Sequence, residues 1–166
     1  MTRRVLGFLL TFAMLWWGYE SARGSAVERF VVDRLTVSTA ATVIDAIAPS
    51  IGVRASGSRL LAEGGGLNVL AGCEGVDVLL LLAAALAAAP LPLRSRLAGL
   101  AIGAVVVFGL NQVRIVALFF ANRADRELFA LLHGTVTPLL MVAAVALFFT
   151  AWMGRRGAAP HVGVLG

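Results

Sequence analysis

Hydrophobic positions in this chain gather into four long runs, separated by shorter polar stretches. Residues 5–19, 76–92, 97–121 and 131–152 are almost uninterrupted apolar sequence. Each approaches the length that carries a helix across a hydrocarbon core of about 30 Å. The first run ends on Trp16-Trp17-Gly18-Tyr19, an aromatic cluster suited to a membrane interface. The second is alanine-rich in its later half, which permits close helix contact, and Pro90 and Pro92 end it. The fourth contains Pro138, where a kink is expected. Period-two alternation over barrel-length strands is missing, so a transmembrane barrel is excluded. The pattern predicts an all-α integral membrane protein of about four transmembrane helices. It forms a single membrane domain over residues 1–153, and the Gly/Ala-rich residues 154–166 form a disordered tail.

The polar segment 20–75 breaks this rhythm. Val27, Phe30, Val31, Val37, Ala40, Ala41, Ile44, Ile47 and Ala48 recur at helical spacing, which predicts an amphipathic helix over 26–48, stopped by Pro49. Ile51 to Ala55 and Arg59 to Leu61 flank Ser56-Gly57-Ser58, the signature of a short hairpin. Gly64-Gly65-Gly66 is a flexible break before the turn Gly72-Cys73-Glu74-Gly75. The N-terminal run, with Arg3-Arg4 before it and Ser21, Ala22, Ser25 and Ala26 after it, also meets the description of a cleavable signal peptide. The Trp-Trp-x-Tyr cluster favours a retained helix instead.

Charge then orients the chain. Of 166 residues 60% are hydrophobic and only 14% charged, against about 25% in a soluble domain. All 14 basic residues are arginine, and the net charge is +5. Arg3, Arg4, Arg94, Arg96, Arg155 and Arg156 fall on one side of the four runs with no acid among them. The positive-inside rule puts that side, and both termini, in the cytoplasm of a bacterial-type plasma membrane. Short loops account for these arginines, so nucleic acid is not an expected partner. A lone cysteine excludes an intramolecular disulfide and a multi-cysteine zinc site, and no metal or cofactor is expected.

Candidate chemistry follows from the same topology. An arginine at membrane depth costs roughly 2.5–3.5 kcal/mol on insertion scales unless it faces a partner or a wet cavity. Arg114 lies about seven residues, roughly 10 Å, inside the outer end of the third run. Cys73 stands at the outer mouth of the second run and His133 at the outer start of the fourth. Cysteine attacks as thiolate, which a nearby cation or imidazole favours. His133 could take the thiol proton and return it to a leaving amine. Arg114 could stabilise an oxyanion or clamp a substrate carbonyl. Asn111, one turn earlier on the same face, could hold the guanidinium or donate to substrate. Two readings stay open on the residues alone. Arg114 either serves a site with Cys73 and His133, or pairs with Asp77 or Glu74 in a non-enzymatic assembly or scaffold protein. A transporter subunit is a weaker third reading, because no internal repeat is present.

At this point the residues resemble a known family. The turn Gly72-Cys73-Glu74-Gly75 before a span, then Asn111-Gln112-Val113-Arg114, then Leu132-His133-Gly134 opening the next span, is similar to the exosortase/archaeosortase membrane transpeptidases. The resemblance covers residues 51–153 and implies Cys73, Arg114 and His133 as a catalytic triad; Asn111, Glu74 and Asp77 are candidate substrate-binding or supporting residues on the reading of the residues above. It implies cleavage near the outer membrane face through a Cys73 acyl-enzyme. The implied substrates are exported proteins ending in a short motif, a transmembrane helix and a basic cluster. Larger members have more spans, so the short chain suggests a partner subunit or oligomer alongside membrane lipid.

Overall fold

The computed structural model describes residues 2–69 and 72–157. Among the described residues there are seven α-helices: α1 (Thr2–Ser21), α2 (Ala26–Arg29), α3 (Thr39–Ile47), α4 (Val76–Ala88), α5 (Leu93–Ala124), α6 (Arg126–Leu131) and α7 (Thr137–Gly157). Two helical stretches among the described residues are long and apolar enough to cross a bilayer, Leu93–Ala124 and Arg126–Arg155.

The expected amphipathic helix is a continuous rod from Ala26 to Ile47, but its middle is a π-helix, Phe30–Ser38. Ser25 opens it, its hydroxyl accepting the Val27 and Glu28 amides at 3.2 and 3.3 Å, as an N-cap should. Within the π turns the Thr36 and Ser38 hydroxyls donate to the carbonyls five residues back, of Val31 and Asp33. The wider turn rotates the apolar face relative to a regular helix. Val32, Val37, Ala40, Ala41 and Ile44 are buried, whereas Val27, Phe30 and Ile47, expected on that face, are exposed.

The hairpin is present as β1 (Arg54–Ser56) and β2 (Arg59–Leu61), paired Ala55 to Leu60. A third strand, β3 (Leu67–Asn68), adds antiparallel to β2 with Leu60 opposite Leu67. The glycine break therefore turns the chain back onto the sheet rather than releasing it. Leu60 points into a core made by Val37, Ile44, Val53, Cys73, Ile115 and Phe119, which seats the sheet and the rod on the end of α5.

Span boundaries differ from expectation where proline or a cap intervenes. The second apolar run is helical only to Ala88, because Ala89 precedes Pro90 and takes the extended conformation. The polar stretch between the third and fourth runs is a single break rather than an extended loop. Asp125 is extended, and its carboxylate accepts the Glu127 amide at 2.7 Å, so α6 restarts at once. The fourth run starts earlier, at Arg126, and its irregularity is a π segment, Leu132–Val136, just before Pro138. Pro138 has no amide hydrogen and its ring crowds the carbonyl four residues back. The π turn absorbs this, and Thr137 Oγ1 donates to Leu132 O at 2.8 Å. The tail expected over 154–166 begins as the end of α7, and residues 158–166 lie outside the described residues.

α4, α5 and α7 enclose a second core of Val78, Leu82, Leu86, Val107, Met141 and Val145, and α1 packs along α4. At its far end Trp152 lies over Gly99, with the indole Nε1 donating to Ser95 O at 3.2 Å. A methyl group on Gly99 would meet Nε1 at 2.8 Å. Gly99→Ala is therefore expected to cost about 1–3 kcal/mol by overpacking against a rigid indole. Helix propensity alone would make the same change favourable by about 0.5–1 kcal/mol. A lowered thermal midpoint in detergent confirms the packing, and a raised one refutes it.

Candidate active site

Cys73 sits in a turn bracketed by two glycines in the left-handed region, Gly72 at φ 90° and Gly75 at φ 77°. Gly75 is also the residue from which α4 starts. Side-chain-bearing residues seldom adopt that conformation, and space is tight as well: a Cβ on Gly75 would lie 3.0 Å from Asn111 Cγ. The turn thus lies directly on α5 at Asn111. Cys73 is 8% exposed, at the edge of the core beneath the sheet.

His133 approaches from the other side. Its ring stacks on Phe129, one turn earlier, with centroids 5.3 Å apart and planes 5° from parallel. The π segment carries it, and such segments commonly re-aim side chains at functional sites. His133 Nδ1 lies 3.9 Å from Cys73 Sγ. The structure therefore brings together two of the three residues that the resemblance implies as catalytic.

Arg114 is buried on α5, with 7% exposure, and its Nε has no hydrogen-bond partner. The salt bridge among the described residues joins Arg23 and Glu20 at 2.5 Å. Arg114 pairs with neither Glu74 nor Asp77, so the structural ion pair is not formed. Asn111 does not hold the guanidinium either, since its Oδ1 and Nδ2 are both unpartnered although the residue is only 1% exposed. Arg114 instead lines an apolar cavity of about 240 Å³ with Leu110, Val113, Leu132, Thr137 and Leu140. Leu132 immediately precedes His133, so this cavity runs under the segment that carries the imidazole.

Glu74 is engaged by a residue the sequence did not single out for chemistry. The Tyr19 hydroxyl, from the end of α1, donates to Glu74 Oε1 at 2.7 Å. Its only signal was the aromatic cluster, which reads equally well as an interfacial anchor. Glu74 Oε2 is buried and unpartnered, as are Asp77 Oδ1 and Gln112 Oε1. Together with Asn111 and Arg114 these unsatisfied polar atoms cluster on α5 and on the start of α4 with its preceding turn, which meet at Asn111 and Gly75. Buried polar groups are overwhelmingly satisfied in folded chains, so such a cluster calls for a functional account. A thiol and an imidazole 3.9 Å apart are an arrangement that can support acyl transfer.

Comparison with known proteins agrees with the resemblance. The family model for transmembrane exosortases (Exosortase_EpsH) matches residues 2–150, nearly the whole described chain. No curated protein and no solved structure matches it. A match of that extent identifies a membrane protein of this kind, and the chain belongs to the transmembrane exosortase family.

Proposed function

We propose that this chain is a cysteine-dependent membrane transpeptidase that cleaves C-terminal sorting signals of exported proteins through a Cys73 acyl-enzyme. The family acts on exported proteins with such signals. The observation that carries the thiol reading is the 3.9 Å approach of Cys73 Sγ to His133 Nδ1; Arg114, buried with an unpartnered Nε, is the candidate oxyanion partner. In the proposed reaction the Cys73 S–H proton passes to His133 Nδ1, which requires the Nε2–H tautomer. Sulfur attacks the scissile carbonyl carbon, and Arg114 faces the oxygen as it gains charge. The C–N bond then breaks, and His133 returns its proton to the leaving amine. A thioester remains on Cys73 until an acceptor or water takes the acyl group.

In this reading α1, α4, α5 and the rod from α6 through α7 all cross the membrane, with both termini in the cytoplasm and the Cys73 turn facing outward. α4 spans only 13 residues, about 20 Å, less than the ~30 Å hydrocarbon core. A short second span draws the Cys73 turn below the outer surface, to the depth of Asn111 and Arg114. The Tyr19–Glu74 hydrogen bond supports α1 as a retained element, since it ties that helix to the turn. The non-enzymatic scaffold reading required an Arg114 ion pair, and the geometry lacks it.

The test pairs the chain with a secreted reporter carrying a terminal motif, a transmembrane helix and a basic tail. His133→Ala is expected to slow processing by roughly 10²–10⁴-fold, the usual worth of a positioned acid–base group. Membrane insertion should be unchanged. Processing at the normal rate in this variant would remove His133 from the mechanism.

A further inference from the structure

Three polar side chains that take no part in the Cys73 site line a cleft of about 310 Å³ between the π-helical part of the rod and the hairpin. They are Asp33, Arg34 and Ser38, with Ala55 and Gly57 of the hairpin on the other side. Arg34 is exposed and Asp33 half-buried, and among the described residues neither is in an ion pair. The Ser38 hydroxyl donates back to Asp33 O at 3.0 Å, so the two charges are what the rod offers a ligand.

The hairpin side of the cleft offers backbone. β1 is the outer strand of the sheet, paired with β2 on one edge only. Val69 N donates to Ser58 O at 2.8 Å, so Ser58, and with it Leu60 two residues on, turn their backbone groups toward β3. Arg59 and Leu61 therefore turn theirs toward β1, where they meet Ser56 and Arg54. Ala55, between those two, has its N–H and C=O pointing away from β2 toward the open edge. Such an edge is a template for another extended chain. Along an extended chain, side chains two residues apart share a face at roughly 7 Å. Adjacent residues of opposite charge on the rod match an acidic and a basic side chain so spaced. We infer that this cleft binds an extended polypeptide segment, which pairs with the β1 edge at Ala55 and sets an acidic and a basic side chain, two residues apart, against Arg34 and Asp33.

Binding stands on the cleft and the edge alone. The source of the segment rests on the function proposed above: it is a polar stretch of the exported substrate, on the outward side in that topology. The cleft is then a docking site apart from the reactive turn. Val37, next to Ser38, and Leu60, opposite Ala55, pack in one core with Cys73. A segment held there is anchored to the small unit that carries the thiol, which raises the local concentration of the scissile bond.

The test uses the full chain in a non-ionic detergent and reads the fluorescence anisotropy of a labelled, end-blocked heptapeptide. The peptide is built of Thr and Val with Glu and Lys two residues apart, in both orders. One order should bind, and replacing its Glu and Lys by Gln should weaken binding by roughly tenfold or more, the scale of a charge-assisted hydrogen bond. Arg34→Gln and Asp33→Asn should each weaken it similarly, and the exchange Asp33→Arg with Arg34→Asp should select the opposite order. Methylating the peptide amides on one alternate set should abolish binding, and methylating the other set should not. Cys73→Ala should bind the peptide as wild type does, so a failure of the nucleophile reading leaves this result standing. With a processed reporter, Arg34→Gln should raise KM far more than it lowers kcat. Peptide binding with an unmoved KM would overturn the substrate as the source of the segment. Binding of neither order by wild type overturns the site, as does binding that survives both charge substitutions or both sets of methyl groups. Displacement of the peptide by phosphatidylcholine would assign the cleft to lipid headgroups and overturn it too.

Discussion

Cys73→Ala is expected to abolish processing of a sorting-signal reporter, lowering its rate by about 10⁴-fold or more, as loss of a covalent nucleophile does elsewhere. The fold should not suffer. Cys73 is a small residue at the edge of the core beneath the sheet, and Ala removes one sulfur from a turn whose geometry is set by Gly72 and Gly75. Thermal unfolding in detergent should therefore change little while activity vanishes. Cys73→Ser supplies a control for shape, because it keeps a hydrogen-bonding group beside His133 but offers a weaker nucleophile. It should form any acyl-enzyme slowly and release it slowly. Intact-mass measurement on the wild-type protein should reveal an adduct on Cys73 that hydroxylamine removes, as a thioester requires. Normal processing by Cys73→Ala would end the thiol mechanism, whatever the geometry at His133.

Cys73 and His133 could be placed near each other in sequence because both stand at ends of apolar runs, and charge alone set which ends face the same way. That inference needs no side-chain detail. The Tyr19–Glu74 bond was beyond it: a phenol at a helix end marks an interface, and hydropathy does not say which carboxylate its hydroxyl meets. The π segments were hidden for a related reason. They depend on hydroxyls such as Thr36 and Thr137 meeting carbonyls five residues back, and a regular helix offers the same sequence a nearly equal alternative. The rotated burial of Val32 in place of Phe30 follows from that local choice. Helix ends were legible only approximately at Pro90 and Pro92, because the helix stops at Ala88, ahead of both. They were less so at Asp125, where a capping residue makes the polar stretch a single break. Spacing also left Arg114 with two competing roles, since Asp77 and Glu74 were within plausible reach along the chain.

Those two roles predict opposite signs for one substitution, which makes Arg114→Met the most discriminating variant. Breaking a structural ion pair in a buried setting costs about 3–5 kcal/mol, because the partner charge is stranded. A scaffold held by an Arg114 pair would therefore be severely destabilised by methionine. The guanidinium observed here is buried with an unpartnered Nε among Leu110, Val113 and Leu140. Replacing it with an apolar side chain of similar length removes a desolvated charge and keeps the packing. Arg114→Met is thus expected to leave the thermal midpoint unchanged or to stabilise the protein by about 1–3 kcal/mol, in line with the cost of an intramembrane charge. Processing should fall by roughly 10²–10³-fold, the worth of one group aimed at a developing oxyanion. Arg114→Lys should recover little, since a compact ammonium cannot reproduce the planar donor fork. Measuring both quantities on one preparation separates the cases. A stable, inactive Arg114→Met protein means the chain tolerates an unfavourable charge for the sake of its substrate, whereas an unfolded one means that the charge holds the helices together.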